Sequence, residues 1–158
     1  MNKKISIRKA QNGKGLFTNK YFKKDEIIFK VKGILFPVAK EKNLDSKTIA
    51  NSIRYSPKQY LNPAGELADF LNHSCNPNCV IKKTRSSLYV FGIKNIAAGS
   101  EITMDYSTII AEDDFWKMKC NCHNKNCRNI IEKFNSLPKN LQERYKKLEA
   151  VPDYILQN

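Results

Sequence analysis

The chain predicts a mostly β fold with short helices, and three observations carry that reading. The first hundred residues break into short apolar runs that alternate or pair, such as ISIRKA and SSLYVFG, separated by Gly, Pro and Asn turns. Three cysteines crowd into eight residues at CNCHNKNC, residues 120–127. Only after them does an apolar spacing of three and four appear, at Leu141, Tyr145 and Leu148. The order is β segments, a cysteine-rich knuckle, then one amphipathic helix.

Taken in order, ISIRKA (5–10) alternates as a strand, and QNGKGLF follows with a Gly-x-Gly turn. KKDEIIFKVKGILF carries an apolar pair, then alternation up to Gly33. Segment 38–50 is polar, a loop with one helical turn. SIRYSPKQYLNPAGE reads as strand, turn, strand, punctuated by Pro57 and Pro63. SSLYVFGIKNIAAGSEITMDY reads as two strands joined by a turn at Ala98-Gly99. In SLPKNLQERYKKLEAV, Ser136 before Leu-Pro starts a helix and Pro152 stops it.

Composition bounds the function. The 158 residues suit one domain able to bury a core without disulfides, with 41% hydrophobic and 27% charged residues. No apolar run of about 18 residues exists, so no membrane span is expected. The N-terminus MNKKISIRKA is basic without a long apolar core, so no secretory signal is expected either. Five cysteines, three of them clustered, point to thiolates in a reducing intracellular compartment. A net charge of +13 suits an anionic partner such as nucleic acid, though an AT-rich genome yields the same excess of Lys, Asn and Ile.

A structural zinc ion takes four ligands at tetrahedral positions. Cys120, Cys122 and Cys127 supply three, and His123 is badly placed beside Cys122 to join them. The fourth must come from a distant segment. Cys75 and Cys79 are the two remaining cysteines, and spacing alone does not choose between them.

Four motifs in one order now carry a resemblance: Gly13-Lys14-Gly15, NHSCNPN (72–78), GSEITMDY (99–106) and the Cys-x-Cys-x4-Cys cluster. Together they resemble the SET domain with a post-SET zinc knuckle, a family of protein-lysine methyltransferases. The resemblance covers roughly residues 5–131. It implies small curved sheets around a pseudoknot in which the NHSC and Asp-Tyr segments thread past each other. The implied division is a SET domain over 1–110, a zinc knuckle over 111–132 and a C-terminal helical extension over 133–158. The implied cofactor is S-adenosylmethionine, contacted by Gly13, Lys14, Gly15, Asn72 and His73, with glycine allowing close backbone approach. Tyr106 is the implied catalytic tyrosine, and Cys75, Cys120, Cys122 and Cys127 are the implied ligands of a structural zinc ion.

The same resemblance implies a lysine-containing protein substrate, a histone or nucleosome first, in the nucleus (a host nucleus for an injected bacterial enzyme) or cytoplasm. A non-histone substrate is the alternative within the enzyme class. A SET-like binding module with a basic nucleic-acid surface is the alternative outside it. The C-terminal helix is expected to pack on the core, with a dimer or another partner as the alternatives.

Several residues depart from the family pattern. Val31-Lys32-Gly33 stands where members often have Tyr-x-Gly, so either the amine is oriented more loosely or another residue such as Tyr55 or Tyr89 compensates for that hydroxyl. Asp69 stands where many have Arg. Met104, two before Tyr106, replaces a Phe or Tyr that influences methyl number, so di- or trimethylation is expected. Asn129 replaces the usual Gly after the knuckle and still tolerates a left-handed turn. Phe115 and Trp116 are expected to pack the knuckle against the domain.

Overall fold

The computed structural model describes residues 4–39 and 44–156. Twelve short strands among them form four small sheets rather than one large one. Strands β1 (Ile5–Ala10) and β2 (Gly13–Thr18) pair antiparallel through a two-residue turn, after which Gly13 takes φ +79°. β3 (Ile27–Lys30) and β4 (Ile34–Pro37) enter different sheets, separated by Val31-Lys32-Gly33. At Gly33 a Cβ would lie 2.2 Å from the Asn62 carbonyl oxygen, so glycine is required by backbone approach alone.

Of the polar stretch 38–50, residues 40–43 lie outside the described residues. The expected helical turn is α1 (Ser46–Ala50), capped by the Asp45 side chain accepting from the Thr48 amide. β5 (Ile53–Ser56) and β6 (Gln59–Asn62) form the predicted strand–turn–strand and complete a sheet with β4. A single 3-10 turn, Leu67–Phe70, leads into β7 (Asn72–His73). β8 (Cys79–Thr84) was hidden in the sequence by the motif preceding it, and forms a hairpin with β9 (Ser87–Gly92).

The expected hairpin across Ala98-Gly99 does not form. The turn is there, with Gly99 at φ +83°, but β9 belongs to the β3–β9–β8 sheet. β10 (Glu101–Met104) joins the order β1-β2-β10-β7 instead. Eight residues separate the two strands, and the Phe22–Ile96 bridge anchors that connection to another part of the chain. β10 pairs parallel with β7, and the Ser74 and Asn78 amides donate to the Met104 and Thr103 carbonyls at 2.8 and 3.1 Å. Residues 72–78 thus lie against 101–106, the crossing of segments implied by the resemblance.

The main core combines residues from all these sheets, including Leu16, Phe22, Ile81, Leu88 and Ile102. The knuckle adds a two-stranded ribbon, β11 (Met118–Lys119) with β12 (Ile130–Ile131). Helix α2 (Lys139–Lys147) follows, begun by Pro138 rather than by a Ser136 cap; the Gln142 side chain instead donates to the Asn135 and Leu137 carbonyls. The helix ends before Pro152, where Glu149 reverses at φ +50°. Pro152 then begins the short α3 (Asp153–Leu156). Tyr145 packs with Val80, Ile93, Phe134 and Val151 in a second core, so the α2 stripe is used for intrachain packing.

Candidate functional site

The crossing of 72–78 with 101–106 gathers most of the predicted site. Tyr106 sits just past β10, at the start of a 3-10 turn (Tyr106–Ile109), where Asp105 caps the turn by accepting from the Ser107 amide. The Tyr106 hydroxyl donates to the Leu71 carbonyl at 2.7 Å, and its backbone N–H donates to His73 Nδ1 at 3.2 Å. Its ring meets His73 edge-on at 5.3 Å and lies 6.1 Å from Trp116. Burial, followed by the nearby carboxylates of Glu101 and Asp69, pushes the phenol pKa well up, so Tyr106 stays a neutral hydroxyl.

On one side of Tyr106 lies a cavity of about 70 Å³. Leu71, Met104, Ile109, Ile110 and Trp116 give it apolar walls, and Asp69, Arg54 and Asp114 bring charge to it. Val31 is buried in the main core and is not among the lining residues. Neither expected substitute reaches the cavity: the Tyr55 hydroxyl donates to the Ser86 carbonyl, and Tyr89 packs edge-on with Phe91. The second tyrosine of the cavity is Tyr60, whose hydroxyl donates to Asp114. Arg54, only 3% exposed, binds Asp114 at 2.5 Å and Asp113 at 2.9 Å. No motif flagged Arg54, Tyr60 or Asp114, because strand alternation marks a residue's face and not its distant partner.

The cofactor candidates converge where β2, β7 and β10 meet. Asn72 Nδ2 donates to the Lys14 carbonyl at 3.1 Å and to Glu101 Oε1 at 2.8 Å, tying β7 to β2 and β10. Both amide hydrogens are thus engaged within the protein. A Cβ on Gly15 would lie 2.4 Å from Glu101 Oε1 and 2.9 Å from Asn72 Nδ2. Gly15 is needed for this lock, whereas Gly13 faces open space. β7 ends the order of its sheet, so one side of it has no strand partner among the described residues. The His73 side chain is buried, and burial lowers its pKa to about 4, partly offset by Asp105. It is a neutral imidazole with both ring nitrogens placed against protein groups, Nε2 lying 3.3 Å from Cys75 Sγ.

The cysteines answer the choice that spacing left open. Cys75 Sγ lies 3.7 Å from Cys120 Sγ, and its backbone N–H faces Cys122 Sγ at 3.5 Å. Cys79 is fully buried in the main core, its thiol directed at the Thr103 carbonyl. The ligand atoms of His73, Cys75, Cys120 and Cys122 lie within 4.8 Å of one another, a group able to hold a metal ion. Cys127 packs in the same cluster, with Sγ receiving the Asn129 N–H at 3.4 Å. Thiolates held at about 2.3 Å around a tetrahedral ion are about 3.8 Å apart, which the Cys75–Cys120 separation matches. Burial would raise the Cys122 thiol pKa, but N–H groups of Cys75 and Asn124 outweigh it and bring it to about 6. His73 as a member of this group was not anticipated from the sequence. Trp116 packs against the cluster as expected, whereas Phe115 is 93% exposed and packs on nothing comparable.

Comparison with known proteins agrees with this geometry. The SET domain family matches residues 13–107, more than half of the chain. Human histone-lysine N-methyltransferase 2B is 31% identical over 135 residues, covering 78% of this chain and 5% of that protein. Histone-lysine N-methyltransferase ASHR3 of Arabidopsis thaliana is 38% identical over 71 residues, covering 42% of this chain and 14% of its own length. The chain therefore spans only a small part of these relatives. The methyltransferase domain of human histone-lysine N-methyltransferase SETMAR shares the fold, with TM-score 0.67 and 23% identity over 82% of this chain and 58% of that one. With its crossed segments, its Asp105-Tyr106 turn and this match, the chain belongs to the SET-domain family.

Proposed function

We propose that this protein is an S-adenosylmethionine-dependent protein-lysine N-methyltransferase acting on histone lysine. The observation that carries the reading is the position of Tyr106, whose ring lines the apolar-walled cavity while its backbone N–H meets His73. Its oxygen, donating to Leu71, retains acceptor capacity toward an amine in the cavity. Apolar walls favour a neutral amine over an ammonium. Because Tyr106 is kept a neutral phenol, its role is to orient the amine rather than to act as a phenolate base.

The cofactor would sit where β2, β7 and β10 meet. Gly13 leaves open space beside β2, and β7, next to it through Asn72, ends its sheet among the described residues. Gly13, Lys14, Gly15, Asn72 and His73 would hold it, His73 through its main chain because its ring is engaged elsewhere. When bound, S-adenosylmethionine supplies an electrophilic methyl group on a sulfonium. Alignment of the amine with that group requires reacting atoms about 3–3.5 Å apart, which Tyr106 serves.

Cys75, Cys120, Cys122 and Cys127 would hold a structural zinc ion; His73 competes with Cys127 for the fourth position. The ion would pin the knuckle, with Trp116, beside Tyr106. Met104 would leave room for two or three methyl groups because it brings no hydroxyl to the cavity. The net charge of +13 supports approach to nucleosomal DNA, which would place the activity in a nucleus.

The test is methyl transfer from labelled S-adenosylmethionine to core histones and to reconstituted nucleosomes. Lysine label lost in Tyr106→Phe is the expected result, with nucleosomes preferred if DNA is contacted. Bound cofactor with no transfer to either substrate would overturn the histone assignment. Absence of cofactor binding by the zinc-replete protein would overturn the enzyme assignment.

A further inference from the structure

The cavity beside Tyr106 holds two carboxylates in opposite circumstances. Asp114 is neutralised within the protein: Arg54 binds it at 2.5 Å and Tyr60 donates to it. Asp69 has no cationic partner among the described residues, although the chain carries 28 Lys and Arg. Neutral donors hold it instead, Asn51 Nδ2 on one oxygen at 2.9 Å and the Gly65 N–H on the other at 3.1 Å. A carboxylate accepts about four hydrogen bonds, so capacity remains on both oxygens. The two donors fix the group from the α1 end and from the turn before Leu67–Phe70, on a backbone already ordered by β6.

With Arg54 and Asp114 cancelling, the lining of the cavity carries one net negative charge on a strongly basic protein. Its electrostatic influence already reaches the Tyr106 hydroxyl. A half-buried carboxylate with no cationic partner among the described residues, set beside apolar walls, attracts a cation more strongly than one in open water. The complementary cation is one on an apolar stem, because Leu71, Ile109, Ile110 and Trp116 face the same space.

We propose that Asp69 is the specificity carboxylate of this cavity, capturing the alkylammonium form of the incoming lysine side chain and excluding neutral side chains of the same length. The inference deepens the lysine-methyltransferase reading and rests on it for its meaning. Lysine reaches the protein protonated, since its free pKa is about 10.4. Asp69 lowers the cost of bringing that charge past apolar walls, and Tyr106 then orients the amine once its proton has left to solvent. Mono- and dimethyl-lysine are also cations at neutral pH, so the same capture serves successive rounds. Acetyl-lysine is neutral and gains nothing from Asp69.

Trp116 is the chain's single tryptophan and lines the cavity, so its fluorescence reports occupancy without any turnover. Zinc-replete protein is titrated with n-butylammonium chloride and, separately, with n-butanol as a neutral shape match. The expected result is a saturable change with the ammonium, at least fivefold tighter than with the alcohol. Asp69→Asn should weaken the ammonium at least fivefold and leave the alcohol unchanged, while Asp69→Glu retains part of the preference. Equal affinity for ammonium and alcohol in the native protein, or no saturable ammonium binding, overturns the proposal without any variant. An unchanged ammonium affinity in folded Asp69→Asn overturns it as well. The methyl-transfer assay separates this from the parent reading. In that assay Asp69→Asn should raise KM for a lysine peptide about tenfold with kcat within twofold, whereas loss of the parent reading appears as no transfer by the native protein.

Discussion

The hydroxyl of Tyr145 donates a 2.9 Å hydrogen bond to Asp105 Oδ2, linking helix α2 to the residue immediately before Tyr106. Asp105 is fully buried and also binds Arg128 Nη2 at 2.7 Å through Oδ1, which lies 3.6 Å from His73 Nδ1. One carboxylate thus joins the C-terminal helix, the knuckle and the segment crossing. Arg128 and Tyr145 both lie beyond the family match at 13–107. Tyr145→Phe removes the donor while keeping the ring, and a hydrogen bond to a charged group is worth about 1.5–3 kcal/mol. The melting temperature should fall by about 3–10 °C. Methyl transfer should fall through displacement of Tyr106, with Asp105→Asn worse because it leaves the Arg128 charge uncompensated. Calorimetry and initial rates on the two variants check both statements.

Removing the Tyr106 hydroxyl should separate chemistry from binding. On the proposed function its oxygen orients the amine, so Tyr106→Phe should lower kcat by about 100-fold. Cofactor affinity should stay within twofold, because the hydroxyl's bond is to Leu71 and not to the β2–β7 side. Isothermal titration with S-adenosylmethionine beside single-turnover kinetics measures the two effects.

The proposed zinc site makes distinct predictions for the two outlying cysteines. Cys75→Ser should reduce bound zinc well below one ion per chain, measured by mass spectrometry of the metal. Cys79→Ser should keep the ion and lower only thermal stability, because that thiol is buried in the main core. A strong chelator should release the knuckle and abolish transfer, with recovery on zinc addition. His73→Gln tells whether the imidazole is a ligand: zinc affinity falls if it is, and is unchanged if Cys127 completes the set.

Two glycines only two residues apart should respond differently to alanine. At Gly15 the new Cβ meets Glu101, Ala10 and Asn72, so the Asn72–Glu101 lock must shift. Gly15→Ala should weaken S-adenosylmethionine binding at least fivefold. At Gly13 there is room, but φ is +79°, so the change costs about 1–2 kcal/mol of backbone strain. Chemical denaturation should show that cost, with cofactor affinity changed less than for Gly15→Ala.

Met104→Tyr should narrow the cavity and add a hydroxyl beside the amine. The expected product shifts to monomethyl-lysine, read by intact-mass spectrometry at saturating cofactor. Monomethyl product from the native protein would instead show that Met104 does not set the number.

Much of this molecule was readable from local pattern. The turns at Gly13 and Gly99, the strands Ile5–Ala10 and Ser87–Gly92, and the apolar stripe of α2 follow from rules that operate within a few residues. Motif order pointed to Tyr106, Asn72 and the cysteine cluster because each of those residue types carries its chemistry wherever the chain places it.

Partnership was the part that sequence alone left undecided. Spacing could not select Cys75 over Cys79; folding did, by sending one thiol to the knuckle and the other into the core. Strands β9 and β10 are near in sequence yet belong to different sheets, because Phe22 and Ile96 bridge between them. The missing channel tyrosine at Val31 was not replaced by Tyr55 or Tyr89, and Tyr60 beside Arg54 and Asp114 had no motif to announce it. Tyr145 and Asp105 are 40 residues apart, and Asp69 meets neutral donors with no cationic partner among the described residues. The amino-acid sequence determined which segments could be strands, turns, thiolate donors and a hydroxyl-bearing site. Tertiary structure alone decided which charges meet, since a buried carboxylate's state depends on what long-range packing brings within a few ångströms.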